Sequence, residues 1–204
     1  MNCDLEQALP AWLAAIGTIA VAILAIWGDW FRSVFAGPKL ELSLRDPLGD
    51  LNSRANGTRV IYYHITVTNT RTWSAAKAVR LMVVAVDKLR PGDTYLPEHL
   101  AVPIQLNWAF ASFHEQFPTV VQDDICDFGF LDQGAARFEL ALYVRPNNFK
   151  GYVAANETMR VSIVASGHNV QPSKPLVIEV AWDGKWSADK DEMRRHLVIR
   201  EVKE

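Results

Sequence analysis

The chain has 204 residues, half of them hydrophobic and 22% charged, which excludes a largely disordered protein. Its net charge of -2 gives no basic field for binding a nucleic-acid polymer. Its two cysteines exclude a disulfide scaffold and a four-cysteine zinc site.

No Asp, Glu, Lys or Arg occurs between Glu6 and Asp29. The stretch Ala11–Trp27 is almost wholly apolar, and Leu9 and Pro10 lengthen it toward the ~17–25 residues of a membrane span. Pro10 suits a first helical turn, whose N–H has no intrahelical partner. Trp12 stands at one end; Trp27, Trp30 and Phe31 stand at the other, followed by Arg32. Trp12 to Trp30 is about 27 Å of helix, which puts the aromatic rings at the two interfaces. A signal peptide would begin with basic residues, whereas this one begins with Asp4 and Glu6 and lacks a small-residue cleavage site. The expectation is a retained single-pass helix over 9–32, a short outer N-terminus over 1–8, a linker over 33–38 and a domain over 39–204. Arg32, Lys39 and Arg45 follow the helix and acids precede it, so the domain is expected on the cytoplasmic side of a cell inner membrane. Ala14, Thr18 and Ala22 form a small-residue stripe of the kind that lets helices associate in lipid.

Beyond Ala36-Gly37-Pro38 the pattern changes to period two. Lys39–Arg45 alternates Leu40, Leu42 and Leu44 with polar residues, and 46–58 reads as a loop. Arg59–Asn69 is the strongest strand signal, with Ile61, Tyr63, Ile65 and Val67 on one face. Ala76–Leu89 comes next, with Val79, Leu81, Val83 and Ala85 in register. Val102–Ala109, Ile125–Leu131, Arg137–Arg145, Thr158–Ser166, Pro175–Trp182 and Leu197–Val202 read as further strands. Phe110–Gln122 and Pro146–Tyr152 read as loop and turn. Asp183-Gly184 between Trp182 and Lys185-Trp186 signals a two-residue hairpin. Ser187–His196 reads as a short helix, acidic first and basic last. Eight or nine short strands separated by turns predict a mainly β domain, a sandwich or barrel.

Chemistry is sparse. His64, His99, His114, His168 and His196 have no zinc-type spacing, and His64 lies on the strand face opposite Tyr63 and Ile65. No nucleophile elbow, phosphate loop or dinucleotide turn occurs. Asp123, Asp124, Asp127 and Asp132 bracket Cys126 without the alternation of a calcium loop, and Cys126 has no basic activator. The body from Ser33 onward holds 20 basic and 20 acidic residues, so its formal charge is near zero and no polybasic patch is expected to add electrostatic affinity for lipid or nucleic acid. Trp182, Lys185 and Trp186 beside the Asp-Gly turn are a candidate binding edge, against the simpler alternative that both rings pack beneath it. The residues therefore predict no cofactor, no resident metal and no catalytic set.

The run Tyr63-His-Ile-Thr-Val-Thr-Asn69, followed by Ala76-Lys-Ala-Val79, resembles the strand–turn–strand pattern of bacterial immunoglobulin-like sandwiches of the adhesion and tail type. The resemblance covers about half the body, carries over no catalytic residue and implies an immunoglobulin-like β-sandwich, placed behind the single transmembrane helix expected from the apolar stretch. On this reading the protein is a membrane-anchored, non-enzymatic module that binds a protein partner or a second copy of itself. The architecture also resembles small membrane effectors of bacterial antiphage signalling. That resemblance implies a nucleotide second messenger as ligand and assembly through the transmembrane helix.

Overall fold

Alternation along β-branched and aromatic residues builds most of the structure, a computed structural model that describes residues 3–31, 36–109 and 117–202. The chain divides into two units, Met1–Gly37 and Pro38–Glu204. The first contains α1 (Cys3–Phe31). This helix begins seven residues before Pro10, so Pro10 lies inside it rather than in its first turn. Lacking an N–H, Pro10 leaves the Glu6 carbonyl without its usual intrahelical donor.

The second unit contains β1 (Leu40–Leu44), β2 (Asp50–Ser53), β3 (Arg59–Asn69), β4 (Arg80–Arg90), β5 (Thr94–Pro97), β6 (Ile104–Gln105), β7 (Asp123–Asp132) and β8 (Arg137–Leu140). It continues with β9 (Tyr152–Ala154), β10 (Glu157–Ser166), β11 (Leu176–Trp182), α2 (Lys190–His196) and β12 (Leu197–Glu201). All strand pairings are antiparallel and form two six-stranded sheets. In the first sheet β1 and β2 share one edge of β3, and β7, β8 and β9 lie in turn on its other side. The second runs β12-β11-β10-β4, with β5 and β6 sharing the outer edge of β4.

The inner faces share one core. Ile61, Tyr63, Ile65 and Val67 of β3 and Phe128 and Leu131 of β7 meet Leu81 and Val83 of β4, Val161 and Ile163 of β10 and Ile178 of β11. The domain is thus mainly β and two-layered. Residues 104–109 cross between the layers. Leu106 N donates to Leu81 O in the second sheet at 2.9 Å, while Ala109 N donates to Ile125 O in the first at 3.0 Å. Asn107 O accepts from Asp127 N, and its own N donates to Ala141 O.

Several sequence expectations need correction. The strand expected over Ala76–Leu89 begins at Arg80, and its register breaks where β4 opposes Ser162 and Ile163. Val84 is the extra residue there, and Val86 rather than Ala85 enters the core. A second bulge lies opposite Tyr63 and His64, with Phe128 as the extra residue. The loop expected over 46–58 contains β2, whose residues are all exposed. Asp183-Gly184 does make a tight turn, with Gly184 at φ +93°, but no strand comes directly after it. The chain runs instead into α2, capped where the Asp189 side chain accepts from Glu192 N at 2.8 Å. Of the ambiguous stretch Phe110–Gln122, 110–116 lie outside the described residues, and Val120 bridges Ala76.

Asn69, Ala76 and Val79, which carried the strand–turn–strand pattern, are all buried. Asn69 Oδ1 accepts from Lys39 N (3.3 Å) and Arg71 N (3.1 Å), and its Nδ2 donates to Ser74 O (2.8 Å) and Val121 O (3.1 Å). One side chain therefore joins the entry into β1, the turn after β3 and the segment before β7.

Candidate anchor and binding surfaces

In α1, the large apolar side chains are exposed on every side. Trp12 is 69% exposed, Ile26 75% and Trp27 57%, and Leu13, Ile16, Ile19, Val21, Ile23 and Leu24 are exposed too. Among the described residues no helix is long and apolar enough to cross a membrane; described side chains run without a break only from Trp12 to Gly28. Trp30 and Phe31 belong to α1, but their side chains lie outside the described residues, as does all of Arg32. Ala14, Thr18 and Ala22 are exposed, and Thr18 Oγ1 donates to Ala14 O at 2.8 Å. That bond satisfies the one hydroxyl in the stripe, so the stripe presents little free polarity.

The edge expected at Trp182, Lys185 and Trp186 splits. Trp182 is 3% exposed, and its indole N–H donates to Lys185 O at 2.8 Å. Trp186 packs against the core, with its indole nitrogen buried and without a hydrogen-bond partner. Lys185 is exposed, and its N donates to Asp183 Oδ1 at 2.9 Å. Asp183 Oδ2 lies 2.8 Å from His196 Nδ1. Burial raises the Asp183 pKa, but the Lys185 amide and His196 outweigh it and hold the carboxyl below its usual range. The turn thus buries one ring fully, half-buries the other and leaves the lysine outside.

Two surfaces have no signal in the sequence. The first is a cleft of about 370 Å³ between residues 98–104 and 146–150, lined by Leu100, Val102, Ile104, Pro146, Asn148 and Phe149 among others. Val102 is 63% exposed at this cleft, and Val144 and Tyr143, just before Pro146, are also exposed. Beside it, Lys88 is buried, donates to Glu157 Oε2 at 2.8 Å and lies 4.4 Å from the centroid of the Tyr152 ring. Arg137 lies 4.8 Å from the same centroid and donates to Glu139, which Arg145 also reaches. Burial raises the pKa of Glu157 and Glu139, but their cationic donors reverse the sign and hold both below the usual carboxylate range.

The second is a charged row across the outer face of the second sheet. Asp87, Arg160, Glu179 and Arg200 stand opposite one another on β4, β10, β11 and β12. Glu179 is 5% exposed and accepts from Tyr95 Oη (2.7 Å), Arg160 Nε (3.0 Å) and Arg200 Nε (2.8 Å). Arg160 also lies 3.8 Å from the Tyr95 ring centroid. Burial pushes the Glu179 carboxyl up, and these donors bring it down below its ordinary value. No run of neighbouring residues encodes this row, because each member comes from a different strand.

The remaining polar candidates are spread apart. His64 faces outward with Nδ1 2.8 Å from Asp127 Oδ1 and Nε2 3.5 Å from Asp50 Oδ2. Nδ1 and Asp127 Oδ1 are both buried without a hydrogen-bond partner, so their contact is not directed along a hydrogen bond. Asp132 pairs with Arg54 at 2.6 Å, and Asp124 Oδ1 accepts from Ile125 N. The acidic run is therefore strung along β7 with separate partners, and among the described residues no three His, Cys, Asp or Glu side chains converge to hold a metal ion. Cys126 is fully buried, and burial pushes its thiol well up. No protein-family model and no curated protein matches the sequence.

Proposed function

We propose that the protein is a membrane-anchored, non-enzymatic module. Its N-terminal helix stays in a cell inner membrane, and its β-sandwich, immunoglobulin-like in kind, binds a protein partner on the cytoplasmic face. The observation that carries this reading is α1 itself. It is 29 residues long, about 43 Å, and it exposes large apolar side chains from Trp12 to Trp27 on all sides. A helix apolar all round needs an apolar surrounding. The domain closes its own core without these side chains. Its sequence flanks favour the basic end inside. The partner's place is the cleft beside Val102, Tyr143 and Val144, where an apolar floor carries a polar rim.

The test is cross-linking from detergent-solubilised membranes with a photoreactive group at position 102. Recovery of one partner, or of a second copy, supports the reading. A strictly monomeric, uncross-linked chain removes it.

The volume of the same cleft supports a second reading, because small-molecule sites occupy ~300–1,000 Å³. On that reading a nucleotide second messenger fills it and drives assembly through the Ala14-Thr18-Ala22 stripe. Thermal stabilisation by one member of a cyclic-oligonucleotide panel supports that reading, and none across the panel ends it.

A further inference from the structure

At the end of the sandwich where the chain enters through Lys39, three segments meet. Thr70 N donates to Lys39 O (2.9 Å), Val79 N to Pro118 O (3.0 Å) and His168 N to Lys77 O (2.9 Å). Lys77 N donates to Asn169 Oδ1, and Asn169 Nδ2 donates to Ala75 O. Segments 70–79, 117–122 and 167–175 therefore form one surface. Their charged residues are Arg71, Lys77 and Lys174, all basic, with Arg80 just after the first segment; Lys39 before them pairs with Glu41 at 2.8 Å, and Asp123 and Asp124 follow the second segment. Within the basic surface Trp73 is 73% exposed and Val121 56%. Arg80 lies 4.6 Å from the Phe117 ring centroid.

We infer that this end of the domain docks on an anionic bilayer, with Trp73 seated among the headgroups. The inference rests on the anchor reading, because the chain enters the domain at this end. Only eight residues lie between Phe31 and Leu40, nine Cα steps that reach at most ~32 Å fully extended. Tethering alone would keep such a surface near the headgroups. Cations on the same surface as an exposed indole have the chemistry of an interfacial contact: Trp favours the headgroup region, and Lys and Arg neutralise lipid phosphates. Duplex nucleic acid would use the same charges but has no apolar layer to receive Trp73 and Val121.

The test uses the full chain, reconstituted into vesicles of phosphatidylcholine alone or mixed with an equal part of phosphatidylglycerol. Flotation and backbone hydrogen exchange are read together. The chain is expected to float with both vesicles, with exposed amides of 70–79, 117–122 and 167–175 exchanging roughly tenfold more slowly only with phosphatidylglycerol. Salt at ~1 M should reverse the slowing. Each lysine near an anionic surface is worth about fivefold in association, so the double variant Lys77→Glu, Lys174→Glu should lose the slowing while unfolding at the same midpoint. Trp73→Ser should weaken the slowing in the same vesicles. Flotation with both vesicles and unchanged exchange overturns the docking surface and leaves the anchor reading standing. Flotation only with phosphatidylglycerol supports the surface and overturns the anchor. No flotation with either overturns both. Slowing by a DNA duplex in detergent, without slowing in anionic vesicles, reassigns the surface to nucleic acid and overturns the inference.

Discussion

Tyr95 Oη donates to Glu179 Oε2 at 2.7 Å, joining the edge strand β5 to β11 across β4 and β10. The bond completes the donor set of a carboxylate that is nearly excluded from water. Tyr95→Phe removes one donor and should cost about 1 kcal/mol. Glu179→Gln leaves Arg160 and Arg200 facing each other and should cost about 2 kcal/mol. That is below the about 3–5 kcal/mol of a fully buried pair because Arg200 is largely exposed. Urea unfolding of the two variants checks both values, and a double variant with a loss well below their sum would show the coupling.

Acid should weaken the domain through the same groups. Glu179, Glu157 and Glu139 have folded-state pKa values below their ordinary ones. A depressed carboxylate contributes stability that is complete above its unfolded pKa and is lost as pH falls through its folded pKa. The loss should begin near pH ~4.5 and deepen below it. Denaturation midpoints measured from pH 7 down to pH 3 should show the decline, and Glu179→Gln should make it shallower.

Asn69→Ala should be among the most damaging polar substitutions. It removes bonds to Lys39, Arg71, Ser74 and Val121 at a buried position and leaves backbone groups there without partners. A loss of about 2–3 kcal/mol is expected. Asn69→Asp keeps the acceptor but sets its second carboxylate oxygen against the carbonyls of Ser74 and Val121, so at neutral pH it should be at least as damaging as Ala. Equal stability of all three by thermal unfolding would contradict this role.

Anchoring is tested in the middle of α1. Ile19→Arg puts a charge where an exposed apolar side chain now stands, at a cost of about 2.5–3.5 kcal/mol for a central membrane position. The expected result is partial release of the full chain by alkaline carbonate. Wild type should stay in the pellet, and Lys150→Ala in the domain should behave like wild type. Release of wild type itself would remove the membrane reading.

Legibility in the sequence tracks the length and evenness of the alternation. Arg59–Asn69 is a strand with the bounds its pattern predicts, because Ile61, Tyr63, Ile65 and Val67 all face one core. Ala85 misses the core because Val84 bulges, and a bulge reverses the apparent face without any change in residue type. Asp50–Ser53 pairs with β3 but exposes every side chain, so no hydrophobic period marks it. Gly184 marks a turn without marking its continuation, which is a helix capped by Asp189 rather than a second hairpin strand. The basic end has no linear signature for a related reason. Lys39, Arg71, Lys77, Arg80 and Lys174 are scattered through the chain and gather only when three loops fold together.

The crossover at 104–109 governs how the domain yields. Because Leu106 is bonded to one layer while Asn107 and Ala109 are bonded to the other, sliding either sheet past its neighbour must break the bonds on one side of the crossover. A pull applied through Lys39 and Val202 should therefore meet one cooperative rupture rather than the peeling of a single sheet.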